Sequence, residues 1–295
     1  MSTPPIAPPS APRLFVDVQH GLCNRLRVMA SAAVLAERTG RDLVVIWRPD
    51  HHCQARIGDL LDYPGAVIED DMADLCRRQS AVVYNYMEIE PGAEFEAPIL
   101  PEPEEFAGKD VYIRSAYSLN SPLVRMEDEQ VFLRGLIPTD AVLDLVGRVR
   151  RPNKVALHVR RSTGPGFDHL SFEAPDNWPP ERHAELVAWR AKSQPERFME
   201  RLDALIVEGR ADTVFIAADH PETYADFAAR YGQRVTWLER EDYDRSARQL
   251  QYALADLILL TAAELFLAST WSSFSDLAQR LAPQERAFEQ SGKDF

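Results

Sequence analysis

The chain has 295 residues, 45% of them hydrophobic, which is enough for two domains with their own cores. Its formal net charge of −13 excludes a general nucleic-acid or anionic-membrane binder, because both need a broad basic surface. Any anion site must therefore be a local positive pocket in an acidic protein.

The N-terminal segment is predicted to be a disordered tail over residues 1–12, which contain five prolines and no basic residue. It lacks the charged and apolar regions of a signal peptide. No apolar run approaches the roughly 18 residues of a transmembrane helix, so no membrane span is predicted. The three cysteines, Cys23, Cys53 and Cys76, form no Cys-x-x-Cys pair, which favours a reducing cytoplasmic location and gives no zinc signature.

The first elements predict a β-loop-α-β unit, as in the opening of a doubly wound domain. A strand at Leu14–Val18 leads into a loop at His20–Asn24. A helix over Arg25–Arg38 follows, with apolar residues at helical spacing and Gly40 as its end. A second apolar strand is predicted at Leu43–Trp47.

The rest of the first half is less regular. The stretch 69–105 contains eleven acidic residues and is read either as a solvated acidic surface or as a surface that favours a cationic or neutral acceptor. The elements predicted in this half are strands at Ala81–Tyr86 and Val111–Tyr117 and a helix at Thr139–Val149. A linker at Arg150–Asn153 then separates an N-terminal domain, 13–150, from a C-terminal domain, 151–283, with a C-terminal tail over 284–295.

The second half alternates strands with helices, which predicts a parallel sheet with helices on both faces. A long loop is expected at Ser162–Pro180. The predicted strands are Val155–Val159, Val214–Ala218, Val235–Leu238 and Leu265–Ala268, and the predicted helices are Glu181–Val207, Pro221–Tyr231, Ser246–Thr261 and Ser272–Leu281.

Polar residues follow three of these strands at their carboxyl ends, the edge where open α/β sheets bind ligands. The first strand ends in His158-Val159-Arg160-Arg161, the second is followed by Asp219, and the last is followed by Ser269-Thr270. Arginines that face hydroxyls and helix-start amides suit a diphosphate. Because neighbouring strand residues point to opposite faces, Arg160 and Arg161 are expected to have different roles.

Each of these residues also has a structural interpretation. The two arginines could form a surface pair, and His158 could be a satisfied buried histidine. Asp219 could cap the next helix instead of binding a base or ribose, and Ser272 or Ser273 could be an N-cap, a role compatible with phosphate binding.

A glycine loop, Gly21-Leu22-Cys23-Asn24-Arg25, follows the first strand and opens a helix. Gly21 permits close backbone approach, and the helix N-terminus favours an anion. The loop is not Gly-x-Gly-x-x-Gly, so it gives little support to a Rossmann oxidoreductase. The chain also has no phosphate-binding Gly-x-x-x-x-Gly-Lys-Ser/Thr and no His-Glu-x-x-His metal motif.

Together these segments resemble the α-1,6-fucosyltransferase and protein O-fucosyltransferase superfamily, and especially its bacterial nodulation-factor fucosyltransferases. Gly21–Arg25 resembles the family's Gly-x-x-Asn-Arg/Gln loop, and Leu157–Arg161 resembles its His-x-Arg-Arg motif. Asp256-(x)7-Glu264-(x)4-Ser269-Thr270-x-Ser272-Ser273-Phe274 resembles its last motif, and Phe215–Asp219 its short strand ending in an acid.

The resemblance implies an α/β fold of the GT-B type, with two Rossmann-like domains that face each other across a cleft. It implies an inverting transfer from a GDP-sugar, with fucose as the default sugar, to a glycan, peptide or small-molecule acceptor, without a metal or other cofactor. Arg160 would bind the β-phosphate and stabilise charge on the leaving GDP, and Arg161 would help hold the site. The other residues implied on the donor side are Gly21, Asn24, Arg25, His158, Asp219, Ser269, Thr270, Ser272 and Ser273.

The sequence departs from the family pattern at several positions. Thr163 stands where the family often has an acid, and Asp168, further along the loop, is the candidate to replace it as a catalytic residue. This departure leaves open a non-catalytic nucleotide-sugar binding module on the same fold. The acceptor's general base is not identified, and the candidates by location are Asp17, His20, Asp168, His169 and Glu173.

Overall fold

The computed structural model of the protein describes residues 11–149, 153–161, 176, 178–241 and 243–295. The chain forms two compact units, and each is built on a five-stranded sheet. Of the described residues, the first unit contains 11–19, 25–48 and 64–133, and the second contains 20–24, 49–63 and those from 134 onward.

The sheet of the first unit is parallel, with strand order β3-β2-β1-β5-β4. Its strands are β1 (Arg13–Val18), β2 (Asp42–Ile46), β3 (Ala66–Ile68), β4 (Val82–Asn85) and β5 (Val111–Ser115). The helices are α1 (Leu22–Arg38), α2 (Met72–Gln79) and α3 (Met126–Arg134), with a short 3-10 helix at Pro103–Phe106, and a second 3-10 helix at Ile57–Asp59 belongs to the other unit. The central strand β1 is buried over its last five residues, as its apolar sequence predicts.

Helix α1 begins at Leu22, three residues before the predicted start at Arg25, so that Gly21 directly precedes the helix. Gly40 follows the end of α1 with a φ of +60°, a left-handed conformation that glycine adopts without strain. The predicted helix end is therefore confirmed.

The sheet of the second unit is also parallel, with strand order β10-β9-β6-β7-β8. Its strands are β6 (Val155–Val159), β7 (Val214–Ala218), β8 (Val235–Thr236), β9 (Leu265–Ala268) and β10 (Ala287–Gln290). The helices are α4 (Asp140–Gly147), α5 (Pro180–Ala191), α6 (Pro195–Val207), α7 (Pro221–Tyr231), α8 (Ala247–Thr261) and α9 (Ser273–Leu281). All residues of β6, β7 and β9 are buried, which confirms the three predicted core strands.

The compact units do not follow the predicted boundary at residue 150. Residues 134–149 fold with the second unit, because helix α4 packs on helix α8. The segment predicted as a C-terminal tail contains β10, which pairs in parallel with β9 along the edge of the second sheet.

The single helix predicted over Glu181–Val207 is two helices in the structure, α5 and α6. Pro195 is the first residue of α6, and the preceding Gln194 is extended, with φ −71° and ψ 145°. A residue before proline disfavours the helical region, which explains the break.

The core of the second unit lies on the sheet between the apolar faces of its helices. Phe198, Leu202 and Leu205 of α6 and Phe227 of α7 pack against Leu157 and its neighbours in the strands. Across the described residues, every helix is either too short or too polar to cross a membrane.

Candidate functional site

The carboxyl edge of the second sheet brings together three of the predicted site residues. Strand β6 lies between β7 and β9, so Arg160, Asp219 and Ser269 follow three adjacent strands. Arg160 Nη1 lies 2.7 Å from Asp219 Oδ2, and the Arg160 backbone N–H donates to Ser269 Oγ at 2.7 Å. The predicted convergence of these strand ends is confirmed.

Asp219 holds both arginines of the His-x-Arg-Arg segment, but in different ways. One carboxylate oxygen accepts from the Arg160 guanidinium, and the other accepts from the Arg161 backbone N–H at 3.2 Å. The side chains of Arg160 and Asp219 are each 16% exposed, so the pair remains accessible at one edge. Asp219 is not the cap of α7, because His220 occupies that position without a side-chain cap bond. The carboxylate therefore orients Arg160.

Ser269 joins the ends of β6 and β9. Its hydroxyl donates to the His158 carbonyl at 2.7 Å while it accepts from Arg160, and its own N–H also donates to the His158 carbonyl at 3.1 Å. The residue is fully buried. These bonds give Ser269 a positioning role in addition to its expected place on the donor side.

The turn after Ser269 leads into helix α9. The Thr270 N–H lies 3.3 Å from the hydroxyls of both Ser193 and Ser291, which anchor the turn. Trp271 has a φ of +48°, a left-handed conformation that reverses the chain direction. The Arg190 guanidinium lies 5.3 Å from the Trp271 ring centroid and also donates to the Trp271 carbonyl.

Helix α9 begins at the predicted serines. Ser272 is its N-cap, and the Ser272 Oγ accepts from the Ser275 N–H at 3.3 Å. Ser272 and Ser273 are both half-buried, so the first turn of α9 is partly accessible. A helix N-terminus presents unpaired N–H groups and a partial positive charge, which favour an anion.

His158 is buried behind this edge, with 6% of its surface exposed. Its Nδ1 lies 2.8 Å from Ser275 Oγ, and its ring centroid lies 4.7 Å from that of Phe274. Burial is the main cause that lowers the pKa of His158 to about 3. The negative charge of Asp219 acts to raise this pKa, and the positive charges of Arg160 and Arg190 lower it further. His158 is therefore neutral at neutral pH and fastens α9 to β6.

The pH dependence of stability is expected to report on the burial of His158. An unfolded histidine takes up a proton below its ordinary pKa of 6.5, whereas buried His158 stays neutral down to about 3. The unfolded state binds more protons in this window, so the free energy of unfolding falls as the pH falls. The loss reaches about 2 kcal/mol at pH 5, since one pKa unit corresponds to about 1.4 kcal/mol.

Urea unfolding of the wild type and of His158→Gln, near pH 7 and near pH 5, measures this contribution. Glutamine retains a polar group for Ser275 but does not titrate. We expect the wild type to lose about 2 kcal/mol more than the variant between the two pH values. Equal losses would show that another group carries the pH dependence.

The glycine loop contributes residues to both units. Gly21 and Asn24 belong to the second unit and are half-buried, and a Cβ at Gly21 would meet no atom within 4 Å. Arg25 is fully buried in the first unit, where it donates to the Arg48 carbonyl at 2.8 Å and lies over the Trp47 ring. These contacts explain the presence of an arginine at position 25 without any role in binding a nucleotide-sugar donor.

Among the candidate bases, Asp17 lies at the carboxyl end of β1 and is fully buried. Its carboxylate accepts from Arg114 at 2.7 Å, from the Tyr112 hydroxyl at 2.9 Å and from Gln19 at 2.6 Å. Both carboxylate oxygens of Asp17 are therefore engaged in hydrogen bonds. His20 has a φ of +63° and stacks on His52 at 4.9 Å. The positions 163, 168, 169 and 173 lie outside the described residues.

The acids of the last motif have separate environments. Asp256 is buried in α8 and accepts from Arg240 Nη2 through both oxygens, at 2.9 and 2.8 Å. Glu264 is exposed and pairs with Lys154 at 2.7 Å. The structural interpretation of Asp256 as a polar contact is supported, and its partner Arg240 is a residue that the sequence alone does not single out.

Solved structures of fucosyltransferases share this architecture. The crystal structure of NodZ α-1,6-fucosyltransferase soaked with GDP-fucose has a TM-score of 0.59 at 16% identity, and the match covers 92% of this chain and 93% of that one. NodZ from Bradyrhizobium gives a TM-score of 0.60 at 16% identity, over 93% of this chain and 94% of that one. POFUT1 in complex with GDP-fucose gives 0.55 at 13% identity, over 97% and 99%.

A variant of Arabidopsis thaliana FUT1 in complex with GDP has a TM-score of 0.55 at 18% identity, over 96% of this chain and 73% of that one. No family profile matches the chain, and comparison with curated protein sequences gives no match. At such low sequence identities the similarity shows the fold alone. At the level of fold, it confirms the predicted resemblance and the α/β, GT-B class. The chain therefore has the fold of the α-1,6- and protein O-fucosyltransferases.

Proposed function

We propose that the protein is a glycosyltransferase that moves a sugar, fucose by default, from a GDP-sugar to an acceptor hydroxyl. The observation that carries this proposal is the Arg160–Asp219 pair at the carboxyl end of β6, beside the N-terminus of α9. A guanidinium held by a carboxylate next to unpaired helix amides suits a diphosphate. The structural neighbours include enzymes solved with GDP-fucose, which supports the choice of donor.

The reaction proposed is an inverting displacement that needs no metal. The acceptor hydroxyl oxygen bonds to the anomeric carbon while its proton passes to a basic group or, through water, to the departing phosphate. The bond from the anomeric carbon to the β-phosphate oxygen breaks, and GDP leaves with the electron pair. Negative charge on the β-phosphate grows as the bond breaks, so a fixed cation stabilises the transition state more than the ground state. Arg160 is the residue proposed to supply that charge.

The other residues at this edge of the second sheet position Arg160 and the first turn of α9. Asp219 orients the guanidinium, and Ser269 fixes the strand end from which it projects. His158 holds the first turn of α9, where Ser272 and Ser273 are proposed to contact phosphate. Thr270, Arg161, Gly21, Asn24 and Asp168 remain proposed site residues from the sequence.

Binding of GDP is expected to raise the melting temperature of the purified protein. A ligand at about 100 times its dissociation constant adds roughly 2.7 kcal/mol of stability when it binds only the native state. Thermal unfolding with GDP, UDP, ADP, dTDP or NADH, with and without EDTA, measures the shift. We expect a shift with GDP that EDTA does not change.

The alternative outcomes of this panel are distinct. A shift with another nucleoside diphosphate alone would keep the transferase and replace the donor. No shift with any nucleotide would contradict the proposed function. Binding of GDP-fucose without any turnover, including slow hydrolysis, would indicate a binding module instead of an enzyme.

A further inference from the structure

Arg245 lies in the segment 237–246 that connects β8 to α8. Strand β8 is the parallel neighbour of β7, so this segment leaves the sheet at the same edge as Arg160 and Asp219. The Arg245 carbonyl accepts from the Gln54 N–H at 3.0 Å, and the next residue, Ser246, is the N-cap of α8. The backbone of Arg245 is therefore anchored on both sides.

The guanidinium of Arg245 is largely withdrawn from solvent. Its Nε is inaccessible to solvent, and its side chain has no hydrogen-bond or ion-pair partner within the described residues. Burial, followed by the positive charge of Arg160, lowers the pKa of Arg245 to about 10. The negative charge of Asp219 acts in the opposite direction and raises this pKa. A buried cation without a partner destabilises the native state, so its presence calls for an explanation.

Other buried arginines of the second unit show what a structural arginine looks like in this fold. Arg240 is paired with Asp256 through both carboxylate oxygens. Arg286 donates to the carbonyls of Leu260 and Ala278, at 2.5 and 2.9 Å. Within the part of the chain that the structure describes, Arg245 has neither kind of contact, which separates it from the arginines that support the fold.

The charge balance at the sheet edge points to an anionic partner. Asp219 offsets the charge of Arg160, so that pair is close to neutral as a unit. Arg245 adds a positive charge that this carboxylate does not also neutralise. A diphosphate carries more negative charge than a monophosphate and could engage both guanidinium groups.

We propose that Arg245 is a second phosphate-binding residue of the donor site, and that it makes the site selective for a nucleoside diphosphate over the monophosphate. The inference rests on the proposed function. Arg160 and Arg245 would contact the diphosphate together, with Asp219 orienting only the first of them.

Calorimetric titration of GDP and GMP into the wild type, Arg245→Gln and Arg248→Gln tests the proposal. Arg248 is an exposed arginine of α8 three residues further on, and it serves as the matched control. We expect Arg245→Gln to weaken GDP binding about 10- to 100-fold, the range of one hydrogen bond to a charged group, and GMP binding less than about threefold. Arg248→Gln should bind both nucleotides as the wild type does.

Thermal unfolding without ligand separates binding from folding. Removing an uncompensated buried charge should leave the melting temperature of Arg245→Gln unchanged or higher, whereas loss of a structural contact would lower it. Arg245→Lys retains the charge without the planar fork and should fall between wild type and Arg245→Gln in GDP affinity.

Two results would overturn the proposal while leaving the glycosyltransferase in place. One is GDP affinity within about threefold of wild type in Arg245→Gln, against the 10-fold or greater loss expected for a hydrogen bond to charge. The other is an equal loss for GDP and GMP, which would place Arg245 near the α-phosphate, ribose or base that the two nucleotides share and would remove its selectivity for the diphosphate. A wild type that binds no GDP would instead contradict the proposed function itself.

Discussion

Replacing Arg160 with lysine is expected to lower donor turnover about 100-fold or more, the range found when one preorganised transition-state donor is removed. Lysine can keep the ion pair with Asp219, because Arg160 reaches that carboxylate through a single nitrogen, Nη1. It cannot also present the planar fork of a guanidinium to a phosphate. The fold and part of the GDP affinity should therefore survive while the rate falls.

The rate of GDP release from GDP-fucose measures this effect, with or without an acceptor present. Arg210→Lys is the control, since Arg210 is exposed and pairs only with Glu208 among the described residues. The control should retain wild-type turnover and melting temperature. Near-wild-type turnover in Arg160→Lys would remove Arg160 from the proposed phosphate site, and a large drop in melting temperature would assign it to the fold.

The central strands could be predicted because burial on both faces demands continuous apolar runs. Val155–Val159, Val214–Ala218 and Leu265–Ala268 coincide with the predicted strands. Of the four strands at the sheet edges, β4 and β8 were predicted, whereas β3 and β10 were missed. Both of the missed strands are short and partly exposed. The apolar stretch of β3 is only three residues long, and β10 shows neither an apolar run nor a clear alternation.

The meeting of Arg160, Asp219 and Ser269 could also be predicted, because carboxyl ends of parallel strands share one edge. Their hydrogen bonds could not. A serine after a strand can bond to a ligand or to the neighbouring strand, and Ser269 bonds to His158 and Arg160. Which partner it takes depends on register, which pairs His158 with Ala268.

The two arginines between β8 and α8 show a similar limit. Arg240 and Arg245 both lie in a polar stretch that reads as a surface loop. One is bound by Asp256, and the other is buried without a partner in the described chain. Burial of these side chains follows from tertiary packing, and a local sequence pattern carries no signal of it.

Replacing Asp256 with alanine is expected to destabilise the protein by about 3–5 kcal/mol, because it leaves the buried charge of Arg240 without its partner. The side chains of Arg240 and Asp256 are 2% and 5% exposed, so water cannot replace the lost carboxylate. The contact of Arg240 with the Tyr252 ring, at 4.9 Å, compensates only part of the charge. Urea unfolding at neutral pH measures the loss.

Two further variants separate a buried charge effect from simple loss of a contact. Asp256→Leu combined with Arg240→Met should cost less than Asp256→Ala alone, since two apolar residues of similar size remove both charges. Asp128→Ala breaks the exposed pair with Arg38, at 2.9 Å, and should cost under about 1 kcal/mol. If the double variant is as unstable as Asp256→Ala, packing around α8 and not the unpaired charge determines the stability of this region.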